Sequence, residues 1–224
     1  FHVAQLAWLA GLVVPAAIRS ALLPVLGRAR EDPDEHQKEL NQATDLCFAL
    51  LPYGLFGGYT IMTTFAPLAF PEAYLDGTHG ASAVDVFTVL LAGWGLTLLA
   101  TPTYTSLMAG PQPWRFTLFI GLVLLAALCF GFVLVVEGPT DPGQKLYAGA
   151  VASSLSAGVL LLLSWWMSGE LPSVQNRRKE WTIVLGGGSF IIIGLIYQTF
   201  WWLFGLPLFF FTKQGWQAVR STLD

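Results

Sequence analysis

Apolar residues in this sequence gather into six long runs separated by short polar segments. The runs cover residues 3–26, 46–70, 84–108, 116–136, 146–167 and 181–203. Each is close to the about 20 residues that an α-helix needs to cross about 30 Å of hydrocarbon. The pattern predicts an all-α fold, a polytopic membrane protein with about six transmembrane helices in a single transmembrane helical domain over residues 1–224. An amphipathic segment, residues 204–216, is predicted to lie at the membrane interface.

The segments between the runs contain charges and helix breakers. Residues 109–115 and 137–145 are short turns rich in proline and glycine, which stop helices by removing a donor or by permitting positive φ. Residues 28–45 form the longest polar segment and mix both signs of charge. Within it, Asp34 is expected to cap a short surface helix over residues 35–42.

Lysine and arginine are distributed unevenly over the predicted loops, and this sets the expected orientation. Eight of the 11 lie near the ends of the first, third and fifth runs: Arg19, Arg28, Arg30, Lys38, Arg115, Arg177, Arg178 and Lys179. The positive-inside rule assigns this side to the cytoplasm, stroma or matrix and places both termini opposite. The first residue is Phe1 rather than Met, so either a targeting peptide has been removed or the first residues are missing from the sequence.

Composition supports the membrane class and narrows the partners. Hydrophobic residues make up 54% of the chain and charged residues only 11%, against about 25% charged in soluble domains. The net charge is −3 with no basic stripe, so no nucleic-acid partner is expected. The expected partners are membrane lipids and other membrane subunits.

The predicted membrane interior is poor in chemically active side chains. The three histidines all fall at predicted ends or in loops: His2, His36 and His79. The central parts of runs two to six contain no charged residue, whereas haem sites, proton relays and membrane enzymes need histidines or acids there. Asp85 is interpreted as an interfacial acid, and His36 with Glu35 and Glu39 as a solvated charge run rather than a metal site. We therefore expect no catalytic site, no metal and no enzymatic activity.

Small residues are arranged for close helix packing in two runs. Gly54 and Gly58 form a GxxxG pattern in the second run. The fifth run carries small residues every four positions at Gly149, Ser153 and Ala157, and a parallel stripe at Ala150, Ser154 and Gly158. These glycines and small residues are predicted to contact another helix.

Aromatic side chains concentrate at the ends of the last two runs. The candidate contact residues are Trp165, Trp166, Tyr197, Trp201, Trp202 and Phe204. Such rings suit a lipid interface, a neighbouring subunit, or a flat pigment. The possible cofactors are accordingly chlorophyll, carotenoid or lipid, and the lipid interface is the ordinary interpretation.

The polar groups at mid-membrane depth are hydroxyls and one amide: Thr60, Thr63, Thr64, Thr97, Ser153, Ser154 and Gln198. Hydroxyls can bond a carbonyl one turn back on their own helix, so no continuous water path is expected. The leading hypothesis is a non-catalytic accessory or structural subunit of a multi-subunit membrane complex. A photosynthetic (photosystem-type) or respiratory complex of a thylakoid or inner mitochondrial membrane is favoured, with a bacterial inner membrane as the alternative. The alternative function is a small multi-pass transporter or lipid-binding carrier, which would need a polar mid-membrane cavity.

Overall fold

The structure is a computed structural model that describes residues 2–69, 71–72, 75 and 81–169. These residues are almost entirely helical and contain no strand. Their α-helices are α1 (His2–Arg28), α2 (Pro33–Pro52), α3 (Gly58–Ala69), α4 (Ala83–Ala109), α5 (Pro113–Gly131) and α6 (Pro142–Ser168). A first π turn, Tyr53–Gly57, joins α2 to α3, and a second π turn, Phe132–Val136, extends α5.

The chain is an all-α membrane protein, as the hydrophobic pattern predicts. Four helical segments in the described residues are long and apolar enough to cross a membrane: Gly11–Glu31, Ala83–Ala109, Pro113–Val136 and Pro142–Ser168. They match the first, third, fourth and fifth predicted runs. The second run, residues 46–70, is helical in its described part but is divided among α2, the first π turn and α3. The sixth run, residues 181–203, and the predicted interfacial segment 204–216 lie outside the described residues.

The polar segment between the first two runs folds differently from the short surface helix predicted for it. Asp32, not Asp34, begins α2, because its Oδ1 accepts the backbone N–H groups of Asp34 (3.0 Å) and Glu35 (3.3 Å). Pro33 occupies the first helical position, where its missing N–H costs nothing. The helix then continues through the polar residues into the apolar run, so one element carries both.

Helix α4 is the central element of the described bundle. It packs most extensively against α6, next against α1, and also against α2 and α3. Its start is fixed by a capping box in which Ser82 Oγ accepts the N–H of Asp85 (3.1 Å) and Asp85 Oδ2 accepts the N–H of Ser82 (3.3 Å). The Asp85 side chain is exposed at this end.

Helices α5 and α6 form a hairpin on one side of α4. Asp141 caps α6 by accepting the N–H groups of Gly143 and Gln144, each at 3.1 Å. Helix α5 lies at the periphery: it packs against α6 and only slightly against α4. Phe119 is the single buried residue of α5.

Five helix termini meet at one end of the bundle, which we call the basic end. The ends of α1, α4 and α6 and the starts of α2 and α5 surround one cavity there, with Arg30 and Arg115 in its walls. The other end carries the start of α6, about 40 Å away by its 27 residues at about 1.5 Å each. This grouping is the one that the arginine and lysine distribution predicts for the loops after the first and third runs.

We expect cysteines introduced at the two ends to be labelled from opposite faces of the membrane. In a background lacking Cys47 and Cys129, Gln112→Cys should react with a membrane-impermeant maleimide from one face and Gln144→Cys only from the other, since both positions are exposed. Lys38→Cys, exposed at the basic end, is the matched control and should follow Gln112→Cys. Reaction of Gln112→Cys and Gln144→Cys from the same face of sealed vesicles would contradict the arrangement.

Candidate functional site

Trp94 joins α4 to α1 through a hydrogen bond to a carbonyl that has lost its helical partner. Its indole Nε1 donates to the Gly11 carbonyl oxygen at 2.6 Å. In a regular helix that oxygen would accept the N–H of residue 15, but residue 15 is a proline and has none. In lipid no water can replace the missing bond, and an unsatisfied carbonyl there costs several kcal/mol. The indole of α4 therefore satisfies the carbonyl that Pro15 exposes in α1.

The opposite edge of the Trp94 ring lies against the GxxxG pattern of the second run. The six-membered part of the ring occupies the space where a Gly54 side chain would be, and a Cβ on Gly58 would lie 3.1 Å from Leu91 Cδ1. Both glycines therefore face α4, and the notch they form receives large side chains rather than another helix backbone. Trp94 is only 6% exposed as a result.

The contact between α4 and α6 is a close approach of small residues. A methyl group on Gly93 would lie 3.0 Å from Ser154 Cα, so the two backbones are as near as glycine allows. Ser154 Oγ donates to the Val89 carbonyl oxygen at 2.6 Å. Further along, Thr103 Oγ1 and Ser164 Oγ lie 2.8 Å apart and are both buried. Two hydrogen bonds between helices thus accompany the small-residue packing.

The three small residues singled out on α6 take different environments. Ala157 is buried, and Gly149 is half-buried beside Val135 of the second π turn. Ser153 is exposed within the described part of the chain. The close approach to α4 uses the neighbouring stripe, in which Ser154 is the contact residue.

The aromatic contact residues are only partly covered by the structure. Trp165 is half-buried, and Trp166 is 76% exposed at the basic end of α6. The remaining candidates, Tyr197, Trp201, Trp202 and Phe204, lie outside the described residues.

A ladder of threonine hydroxyls runs along α4. Thr97 Oγ1 donates to the Gly93 carbonyl at 3.0 Å, Thr101 Oγ1 to Thr97 at 2.8 Å, and Thr105 Oγ1 to Thr101 at 2.6 Å. Each bond reaches one turn back on the same helix, which is how such residues are accommodated in lipid. Their protons are therefore used within α4.

One threonine of the second run bonds its own helix in the same way. Thr63 Oγ1 donates to the Tyr59 carbonyl at 3.1 Å, and Thr60 is buried. Thr64 is exposed. Gln198 lies outside the described residues.

The basic end contains a cavity of about 380 Å³. Its polar lining residues are Arg30, His36, Gln37, Ser106, Gln112, Arg115 and Ser168. The imidazole Nε2 of His36 lies 3.0 Å from Ser106 Oγ and so links α2 to α4 across the cavity wall. The volume falls within the about 300–1,000 Å³ that small-molecule sites occupy.

His36 departs from the solvated environment that the charge run around it predicts. It is half-buried, and its Nε2 lies 3.0 Å from Ser106 Oγ. A signal was present in the four- and three-residue spacing of His36 with the buried Leu40, Thr44 and Cys47, which defines an inward face of α2. Among the described residues, no three histidine, cysteine, aspartate or glutamate side chains are grouped to hold a metal ion.

Comparison of the chain with protein-family models, with curated proteins and with solved structures finds no match.

The bond between Trp94 and Gly11 can be tested with a double-mutant cycle. Trp94→Phe should destabilise the protein by about 1 kcal/mol beyond the loss of ring volume, as for other hydrogen bonds between membrane helices. Pro15→Ala restores an N–H to the Gly11 carbonyl, so Trp94→Phe should cost less in that background. Thermal unfolding followed by circular dichroism measures both differences, and the lost ring volume cancels between them.

Trp166→Phe, at an exposed tryptophan, is the matched control and should leave stability unchanged. Equal costs of Trp94→Phe with proline and with alanine at residue 15 would show that the freed carbonyl does not matter.

The α4–α6 contact predicts a large loss of stability at one serine and almost none at the serine beside it. Ser154→Leu should destabilise the protein by about 2–3 kcal/mol, because the larger side chain must separate α6 from Gly93 and the bond to Val89 is lost. Ser153→Leu introduces the same side chain at an exposed position and should change stability by less than about 0.5 kcal/mol. Denaturant unfolding in a mild detergent compares them, and equal losses would mean that the helix face is assigned incorrectly.

Proposed function

We propose that this chain is a non-catalytic structural subunit of a multi-subunit membrane complex. The observation that carries the proposal is the use of hydroxyl groups inside the described bundle. Along α4 and between α4 and α6, they donate to backbone carbonyls or bond one another. A polar solute would need such groups to replace its hydration shell, so this interior suits a scaffold better than a conduit.

The surface of α5 is where such a subunit would meet its neighbours. Leu124, Leu125, Leu128 and Phe132 are 54–71% exposed, on a helix that has only Phe119 buried. Lipid alone can cover these side chains, and a transmembrane helix of another subunit can do so as well. We assign this face to another subunit, because α5 contributes little to the interior of its own chain.

The membrane and complex proposed are those of energy transduction. We propose a photosynthetic or respiratory complex of a thylakoid or inner mitochondrial membrane. The reasons are the scarcity of histidine and charged side chains in the predicted membrane interior and the abundance of aromatic residues. Chlorophyll or carotenoid would be carried by the aromatic side chains near Trp165 and Trp166 or by those beyond residue 169. A bacterial inner membrane is the other location proposed.

The second candidate function is a lipid-binding carrier. The basic-end cavity favours it, because that cavity has both charged and apolar residues in its lining. A transporter with a polar path at mid-membrane depth is less well supported, since the cavity lies among helix termini.

Photo-crosslinking in native membranes should distinguish a subunit from a lone chain. A benzophenone amino acid at Leu124 or Leu128, which are 58% and 71% exposed, should give a protein adduct of discrete larger mass. The same probe at Phe119, which is fully buried, is the matched control and should react only within the chain. Extraction in mild detergent should recover the same partner.

Lipid adducts alone, together with a chain that purifies by itself, would contradict the subunit proposal. The visible absorption spectrum of the isolated material tests pigment separately. Chlorophyll or carotenoid that co-purifies in a fixed ratio to the protein would support pigment binding. A colourless complex would contradict pigment binding but not the subunit proposal.

A further inference from the structure

We propose that the basic-end cavity binds a phosphate group, most favourably the headgroup phosphate of an anionic phospholipid. The subunit proposal does not require this site, whereas the carrier alternative rests on the same cavity. It rests on the charges of the cavity, its hydrogen-bond donors and its position beside the apolar surface of α5.

Two arginines from different helices supply the charge. Arg30 follows α1 and Arg115 lies in the first turn of α5, and both line the cavity. Guanidinium groups stay protonated at any physiological pH and match the oxygens of phosphate with paired donors. No aspartate or glutamate is among the described residues that line the cavity. The nearby Asp32 carboxylate is committed to the start of α2 through its bonds to two backbone N–H groups.

Neutral donors complete the lining. The amides of Gln37 and Gln112 belong to different walls of the cavity. Gln37 Nε2 donates one proton to Asn41 Oδ1 at 3.2 Å and keeps a second, so each amide can donate to a phosphate oxygen. The contact between His36 Nε2 and Ser106 Oγ fixes the wall made by α2 and α4, so the cavity does not depend on a ligand for its shape. A preformed cavity with convergent donors is the usual form of a small-molecule site.

The surroundings favour a lipid over a free ion. Trp114, which is 60% exposed, neighbours Arg115, whose Cζ lies 5.8 Å from the centre of the Trp114 ring. An exposed tryptophan beside an arginine marks the headgroup level of a bilayer. One turn further, Leu118 is 48% exposed, and the apolar surface of α5 continues from there. A lipid can therefore place its phosphate among the arginines and the first part of its acyl chains beside Leu118, as basic pockets between membrane helices do.

The test measures binding of phosphatidylglycerol and of phosphatidylcholine to the purified full chain by native mass spectrometry and by thermal shift. The wild-type chain should retain phosphatidylglycerol in preference to phosphatidylcholine. Arg30→Gln and Arg115→Gln should each weaken phosphatidylglycerol binding about tenfold, because each removes a charge-assisted hydrogen bond. Both arginine side chains are exposed, so neither substitution should alter the helical circular dichroism spectrum.

Lys38→Gln is the matched control, since it removes the same charge from an exposed position at the same end but outside the cavity lining. Equal binding of the two lipids, or equal losses in Lys38→Gln and the arginine variants, would overturn the proposal. Inorganic phosphate added without lipid identifies the source. If it stabilises the wild-type chain and not Arg115→Gln, the site takes the free ion; if phosphatidylglycerol alone stabilises, the site takes the lipid.

Discussion

The packing of α1 against α4 depends on one backbone group, the Gly11 carbonyl. Pro15, four residues later, has no N–H to donate to that oxygen, and the surrounding lipid offers no other donor. The Trp94 indole supplies the donor only when α1 lies directly against α4. The same ring then needs space on its far side, and the first π turn supplies it at Gly54. One hydrogen bond thereby fixes the positions of three helical segments.

Helix α4 packs against neighbours on two sides because it carries large side chains on one side and a small residue on the other. Trp94 and Leu91 project toward glycines of the second run, whereas Gly93 accepts the close approach of Ser154 from α6. Large groups therefore enter notches on one side, and small groups allow contact between backbones on the other. Because lipid provides no hydrophobic force between helices, this fit and the few bonds between helices carry the association. A bundle packed in this way has little room for a solute.

The membrane class and the positions of four spanning helices follow from hydrophobicity and length, which are properties of the chain alone. The rotation of each helix does not follow as directly. Ser153 and Ser154 are equally small and only about 100° apart on the helix. The sequence therefore does not show which of the two parallel stripes of α6 contacts α4. Helix α2 begins two residues before the start that Asp34 predicts as a cap, although an aspartate before a proline is a recognisable first turn. The half-buried position of His36 is hard to predict because its neighbours in sequence are charged. Its partner, Ser106, is 70 residues away in sequence and comes close only in the folded bundle.

The first π turn makes the second run tolerant of a change in length at one place. A π turn closes its hydrogen bonds over five residues instead of four, so it accommodates one residue more than an α-helical turn. Deleting one residue from Tyr53–Gly57 would let the segment close as a continuous α-helix over nearly the same rotation, so Gly58 would still face Leu91. The same deletion within α3 would instead rotate every later residue by about 100° and turn a different face of the helix toward α4. A one-residue deletion is therefore tolerated at the π turn but not in the helical turns after it, although both leave the segment helical and apolar.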